Sequence, residues 1–99
     1  MLTQEPAEPV RITVVDGEAC HYCNDAQRAL TELAENYPLA VETIDERSEV
    51  GQRLMRVHRA SMSPLVLVDG EFFSHGRLPR LKLKKLMEQR QIVNQARVG

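Results

Sequence analysis

Apolar residues along the chain form two kinds of pattern, short β-branched runs and longer stretches with a helical period. Residues 10–15 are rich in Val and Ile, which is typical of a buried strand. From Ala26 to Tyr37 apolar positions recur every three or four residues, which predicts a helix that ends before Pro38. Residues 39–45 are partly alternating and predict a second strand.

The second half of the chain begins with a shorter helical pattern and then changes to strands. Ser48 is expected to cap a short helix whose apolar side carries Val50, Leu54 and Val57. Residues 65–68 and 71–73 predict two strands. The Asp-Gly pair between these strands is typical of a type I′ hairpin turn, in which both central residues have positive φ. A last helix is predicted over residues 79–93, with an apolar face of Leu83, Leu86 and Met87.

The predicted order is therefore β-α-β-α-β-β-α. Because a helix connects the first two strands, we expect them to be parallel with a right-handed crossover, followed by an antiparallel hairpin. The resulting α/β fold has a four-stranded mixed sheet with helices on both faces. We expect residues 10–93 to form a single domain, residues 1–9 a flexible lead and residues 94–99 a frayed tail.

Size and charge exclude several classes of function. The chain has 99 residues, which is enough for one domain, and a net charge of -1. A nucleic-acid-binding domain would need a basic surface to neutralise phosphates. No run of about 18 apolar residues could span a membrane. Residues 1–9 lack the basic start and apolar stretch of a secretory signal, so a cytoplasmic location is expected.

The two cysteines, Cys20 and Cys23, are the candidate reactive residues. A bridge between them closes a very small loop and stabilises the fold little, which favours redox chemistry or metal binding. Cys20 lies where the first predicted helix begins, and a helix N-terminus lowers a thiol pKa. The thiolate is the attacking form, and Cys23 is near enough to resolve a mixed disulfide.

Alternatives remain open for several of these residues. A CxxC pair is half of a zinc shell, but the three histidines that could complete it are widely spaced, so no metal is expected. His21 either stabilises the Cys20 thiolate or is a solvated loop residue. Tyr22 either contacts a thiolate or substrate, or is a partly exposed ring at the edge of the site.

Three features, taken in order, give the chain a resemblance to the glutaredoxin family of the thioredoxin superfamily. They are the Cys-His-Tyr-Cys motif after a strand, Ser63-Pro64 before a strand, and the Asp69-Gly70 hairpin before the last helix. The resemblance covers about residues 10–87 and implies a thioredoxin-like fold. It implies that Cys20 attacks disulfides or glutathionylated thiols and that Cys23 resolves the product.

The resemblance also assigns roles to the residues before the third strand. Pro64 would form a cis peptide bond beside the cysteines, although the residues alone also allow a proline that merely begins a strand. Ser63 would offer backbone groups to an extended substrate, as in strand addition. The residues that we expect to bind substrate are these two together with three others. They are His21, Tyr22, Ser63, Pro64 and Arg77.

The chain departs from the glutaredoxin pattern at two places. His21 stands where many glutaredoxins have Pro, and residues 74–80 lack one glycine of the usual pair, with Arg77 near the position of a carboxylate. This resembles a divergent bacterial glutaredoxin-like branch. The basic residues around the last helix's start are either an anion site or a solvated helix face; they are Arg77, Arg80, Lys82, Lys84 and Lys85.

The expected function is dithiol exchange without a metal or organic cofactor. The expected partners are a disulfide-containing or thiolated protein substrate and a reductant, either a low-molecular-weight thiol such as glutathione or a protein reductase. The protein is expected to be a monomer and to bind neither nucleic acid nor membranes. Two alternatives stay open: a non-catalytic thioredoxin-fold binding module or redox sensor, and a zinc or iron–sulfur site. The pKa of Cys20 discriminates the first from an enzyme, and metal content the second.

Overall fold

The computed structural model describes residues 8–98 and confirms the predicted order of elements. Residues 1–7 of the predicted lead and residue 99 of the predicted tail lie outside the described residues, so the predicted domain limits stay a prediction. The elements are β1 (Val10–Asp16), α1 (His21–Leu33), β2 (Leu39–Asp45), α2 (Glu49–Val57), β3 (Leu65–Val68), β4 (Glu71–His75) and α3 (Arg80–Val98).

The four strands form one mixed sheet in the order β2-β1-β3-β4. Strands β1 and β2 are parallel, with Val10 opposite Leu39, because α1 carries the chain back to the same end of the sheet. Strands β1 and β3 are antiparallel, and so are β3 and β4. The α/β fold class is thus confirmed, and the sheet places the ends of β1 and β2 beside the start of β3.

The β3–β4 turn has the geometry that the sequence predicted. Asp69 and Gly70 have φ of 51° and 85°, so both central residues are in the left-handed region. Asp69 also ties the turn to β1: its backbone N–H donates to the carbonyl of Arg11 at 2.8 Å, and its Oδ1 accepts from the Arg11 N–H at 3.0 Å.

Successive strand residues point to opposite faces of the sheet, and helices cover both faces. Under α1 and α3 lies the larger cluster of buried side chains, which comprises Val10, Ile12, Val14, Ala26, Ala29, Leu30, Val66, Val68, Phe73, Leu78, Leu83 and Met87. Under α2 lies a smaller one, which comprises Val15, Leu65 and Leu67 with the partly buried Ile44, Leu54, Met55 and Ala60.

The predicted apolar side of α2 is wrong at two of its three positions. Val50 and Val57 are 51% and 66% exposed, and only Leu54 packs against the sheet. The reason is the buried Gly51, where a Cβ would overlap the backbone of Asp45. This close approach turns the Gly51 side of the helix inward and leaves the two valines outside.

Two differences concern the C-terminal region. Helix α3 continues to Val98, whereas the sequence prediction ended it near residue 93. Leu78, which lies before the helix and off its apolar face, is 2% exposed and belongs to the larger core cluster. Among the described residues, no helix is both long and apolar enough to cross a membrane.

Candidate active site

Cys20 occupies the N-cap of α1, the position that the sequence predicted for it. Its backbone is extended, with φ −111° and ψ 109°, and its sulfur accepts a hydrogen bond from the backbone N–H of Cys23 at 3.1 Å. The N–H groups of a first helical turn lack partners within the helix. The Cys20 sulfur therefore faces donors that stabilise negative charge on a thiolate.

Cys20 and Cys23 are joined by a disulfide, with their Cα atoms 5.1 Å apart. The two sulfurs lie in different environments: Cys20 is partly exposed, whereas Cys23 is only 2% exposed. The backbone N–H of Gly17 donates to the Cys23 sulfur at 3.5 Å. An incoming molecule can therefore reach Cys20 but not Cys23, which lies beneath it against the β1–α1 loop.

The Ser63-Pro64 segment lies beside the disulfide. The Ser63–Pro64 peptide bond is cis, as the resemblance to the glutaredoxin family implied, and Pro64 is buried. The carbonyl oxygen of Ser63 is 3.8 Å from the Cys20 sulfur. The backbone of Ser63 is thus placed next to the atom that would bond to a substrate.

The two residues between the cysteines lie in the first turn of α1 and are exposed, with Tyr22 43% accessible. Exposure beside Cys20 gives both side chains access to a bound molecule, but their predicted roles in binding stay predictions. Across residues 8–98 we find no cluster of three or more His, Cys, Asp or Glu that could hold a metal ion.

Glu46 is a residue of this region that the sequence did not indicate. Its carboxylate accepts a hydrogen bond from the Ser63 hydroxyl and lies against Gly17, where a Cβ would overlap it. It therefore contacts the two segments that approach the two sulfurs. Because Glu46 is close to Ser63 only in the folded chain, no local sequence pattern marks it.

Arg47, the next residue, organises the negative charges at the ends of β1 and β2. Its guanidinium pairs with Glu18 and Asp45, each at 3.3 Å. The backbone N–H of Arg47 hydrogen-bonds the Asp45 carboxylate and, with the guanidinium, lowers the pKa of Asp45. The hydrogen bond from the Arg47 guanidinium to the Asp45 carboxylate also raises the pKa of Arg47.

The basic residues near the start of α3 do not form one free cationic surface. Arg80 bonds Asp25 at 2.6 Å and Glu32 at 3.3 Å, and the hydrogen bond to Asp25 raises its pKa. The ammonium of Lys82 lies 5.2 Å from the centre of the Phe73 ring. Arg77 lines a shallow depression of about 460 Å³ with Asp25 and Arg80. Two of the five predicted cations therefore have partners within the protein, and binding by Arg77 stays a prediction.

Comparison with known families gives a match over most of the chain. A family model described as a thioredoxin domain matches residues 10–88, which include the disulfide and all the elements from β1 into α3. No curated protein matches the chain. The predicted superfamily is thus confirmed, whereas its glutaredoxin-like branch is not singled out by the match and stays a prediction.

Solved structures are similar over most of the chain. A thioredoxin-like protein from Clostridium perfringens is 14% identical with a TM-score of 0.66, over 82% of this chain and 70% of that one. A single-site mutant of a thioredoxin from Halobacterium salinarum is 25% identical with a TM-score of 0.61, over 82% of this chain and 74% of that one. The first similarity supports the fold alone.

Proposed function

We propose that this chain, which belongs to the thioredoxin domain family, is a thiol–disulfide oxidoreductase in which Cys20 attacks and Cys23 resolves. The family and the disulfide together support a thiol oxidoreductase in general terms. The specific proposal is carried by the difference between the two sulfurs. Cys20 is partly exposed at the helix N-cap, and Cys23 is buried behind it.

The reaction follows from this difference in access. The Cys20 thiolate attacks one sulfur of a substrate disulfide, forms a mixed disulfide and releases the other substrate sulfur as a thiolate, which takes a proton from solvent. The Cys23 thiol then loses its proton and attacks the Cys20 sulfur. The substrate leaves with two electrons more, and the Cys20–Cys23 disulfide is formed.

Substrate binding is proposed to use the surface around Cys20. The backbone of Ser63 lies beside the Cys20 sulfur, so an extended substrate segment could pair with it while Tyr22 contacts its side chains. Such a segment would place a substrate cysteine directly over Cys20. The proposed substrate is accordingly a protein with an accessible disulfide or a thiolated cysteine.

A reductant is required to return the disulfide to two thiols. Two molecules of a low-molecular-weight thiol or one dithiol of a protein reductase would each supply two electrons and two protons. Arg80 and Lys82 have partners within the protein, and Lys84 and Lys85 do not line the depression beside Asp25. Arg77 is therefore the cation proposed to attract a carboxylate of such a thiol. No organic cofactor is required by this chemistry.

The proposal is tested by a disulfide-exchange assay on the wild type and on Cys20→Ser and Cys23→Ser. Each protein is assayed once with glutathione and once with thioredoxin reductase as the electron donor. We expect Cys20→Ser to lose turnover with both donors. We expect Cys23→Ser to lose turnover of substrates that need a resolving thiol, while it still forms mixed disulfides. Arg53→Ala, at an exposed position of α2, is the control and is expected to keep full turnover.

The pattern of results separates the candidate functions. Turnover with glutathione supports the glutaredoxin-like branch, and turnover with the reductase alone supports a thioredoxin-like reductase. Full activity in Cys20→Ser contradicts the proposal. Wild-type protein that is inactive with both donors, and whose Cys20 pKa equals that of a free thiol, supports a binding module or sensor instead.

A further inference from the structure

Glu46 joins the two backbone segments that lie next to the disulfide. It directly follows β2, and its backbone N–H donates to the carbonyl of Asp16 at 2.9 Å, which extends the pairing of β1 and β2 by one residue. Its carboxylate accepts a hydrogen bond from the Ser63 hydroxyl. On its other side the carboxylate fills the space beside Gly17 that a Cβ would need.

These neighbours of Glu46 are the same residues that approach the sulfurs. The N–H of Gly17 donates to the Cys23 sulfur at 3.5 Å, and the carbonyl of Ser63 lies 3.8 Å from the Cys20 sulfur. Ser63 therefore lies between the carboxylate and the Cys20 sulfur, and Gly17 lies between the carboxylate and the Cys23 sulfur. Glu46 is partly buried, so solvent screens its charge less than that of an exposed glutamate.

The charged groups around Glu46 determine how far its own charge is compensated. Within the part of the chain that the structure describes, no Lys, Arg or His forms an ion pair with it. Arg47 is paired with Glu18 and Asp45 instead. Of the other charged or titratable groups around the site, His21 is exposed and Asp16 adds negative charge. A negative charge near a thiol disfavours its thiolate.

We propose that Glu46 is a positioning residue of the thiol pair, whose charge destabilises the thiolates and makes the pair more reducing. The Ser63 hydroxyl holds the carboxylate beside Gly17. Because the carboxylate is negative, its effect on a thiolate is opposite to that of the helix N-terminus at Cys20. A less stable thiolate means a less stable reduced form and a greater tendency to give up electrons. The inference rests on the proposed function only in taking Cys20 and Cys23 as the reacting pair.

Glu46→Gln tests the charge alone, because glutamine keeps an oxygen that can accept from the Ser63 hydroxyl. Glu42→Gln removes the same charge from an exposed position on β2 and is the matched control. The readouts are the thiolate absorbance of the reduced protein against pH and the reduction potential in thiol redox buffers. For Glu46→Gln we expect the thiolate-to-thiol ratio of Cys20 to rise about three- to tenfold. Where the thiolate is populated, a tenfold change makes the potential about 30 mV less reducing.

The control is expected to change neither quantity, and equal effects of Glu46→Gln and Glu42→Gln overturn the proposal. If Glu46→Gln does not fold, Ser63→Ala takes its place, since it keeps the charge but frees the carboxylate to turn to solvent. We then expect a smaller shift in the same direction, and no shift overturns the proposal. Failure of the proposed function is seen separately, as a wild-type disulfide that does not exchange with the redox buffer. The thiolate comparison on reduced protein is unaffected by that result.

Discussion

The sulfur of Cys20 accepts a hydrogen bond from the backbone N–H of Cys23, 3.1 Å away, so one cysteine supplies a donor to the other. This contact exists because Cys20 is the N-cap of α1 and Cys23 lies three residues into the first turn. The same spacing that permits the disulfide thus also provides the group that stabilises a thiolate at Cys20. The buried Cys23 sulfur has no comparable position at the helix end.

The first prediction concerns the pKa values of the two thiols. We expect the pKa of Cys20 to lie below the value of about 8.5 for a free thiol and that of Cys23 to lie above it, because burial disfavours the charged form. The measurement is the rate of alkylation against pH at each cysteine of the reduced protein, resolved by mass spectrometry. Cys20→Ser isolates the Cys23 titration, and a Cys20 pKa at or above that of Cys23 contradicts the assigned roles.

The second prediction concerns Gly51, which lies in α2 against the end of β2. Helix propensity alone favours Ala over Gly by about 1 kcal/mol. In this protein a Cβ at Gly51 would overlap the carbonyl oxygen of Asp45, which is backbone and cannot turn away. We therefore expect Gly51→Ala to lower the free energy of unfolding by about 1–3 kcal/mol, as overpacking does.

Urea denaturation measures this change. Arg53→Ala, at an exposed position of the same helix, is the control and is expected to alter stability by less than about 0.5 kcal/mol. A Gly51→Ala protein as stable as the wild type would mean that α2 does not lie as close to β2 as described.

The third prediction is a pH dependence of stability that arises at Asp69. Burial raises the pKa of this carboxyl, but hydrogen bonds from the Arg90 guanidinium and the Arg11 backbone N–H outweigh it and lower the pKa from 3.8. A carboxyl with a lowered folded pKa stabilises the fold above its unfolded pKa. That stability is lost as the pH falls through the folded pKa. The side chain is 38% exposed, so solvent and salt make the effect modest.

Asp69→Asn tests this dependence, because asparagine also tolerates the positive φ of the turn. We expect the variant to be less stable than the wild type at neutral pH and the difference to shrink as the pH falls below about 4. Thermal unfolding across that pH range measures it, with Glu71→Gln as a control at an exposed carboxylate of the same hairpin. A difference that is constant with pH would contradict the assigned role of the Asp69 charge.

Local patterns account for much of the fold. The Asp69-Gly70 turn, the Ser48 cap and the position of Cys20 at a helix start each depend on a few neighbouring residues, and the structure confirms all three. The cis bond before Pro64 followed from the resemblance to a family, and it too is confirmed. Such features can be predicted because the residues that determine them lie close together in the sequence.

Long-range contacts account for what the sequence could not show. The periodicity of α2 pointed to Val50 and Val57 as its buried side, but the contact between Gly51 and Asp45 turned the helix and left them exposed. Nothing local to Glu46 indicates its contact with Ser63. The ion pair of Arg80 with Asp25, which reduces the predicted cationic surface, joins residues 55 positions apart. No local sequence pattern indicates it.

The assignment of Cys20 as the attacking thiol and Cys23 as the resolving thiol is tested most directly by trapping the mixed disulfide. Reduced Cys23→Ser and Cys20→Ser are each mixed with a small model disulfide, and the adducts are located by mass spectrometry of peptides. We expect rapid formation of an adduct on Cys20 in the first variant and little on Cys23 in the second, since Cys23 is 2% exposed. An adduct that forms equally fast on Cys23, or none on Cys20, would contradict the assignment of Cys20 as the nucleophile.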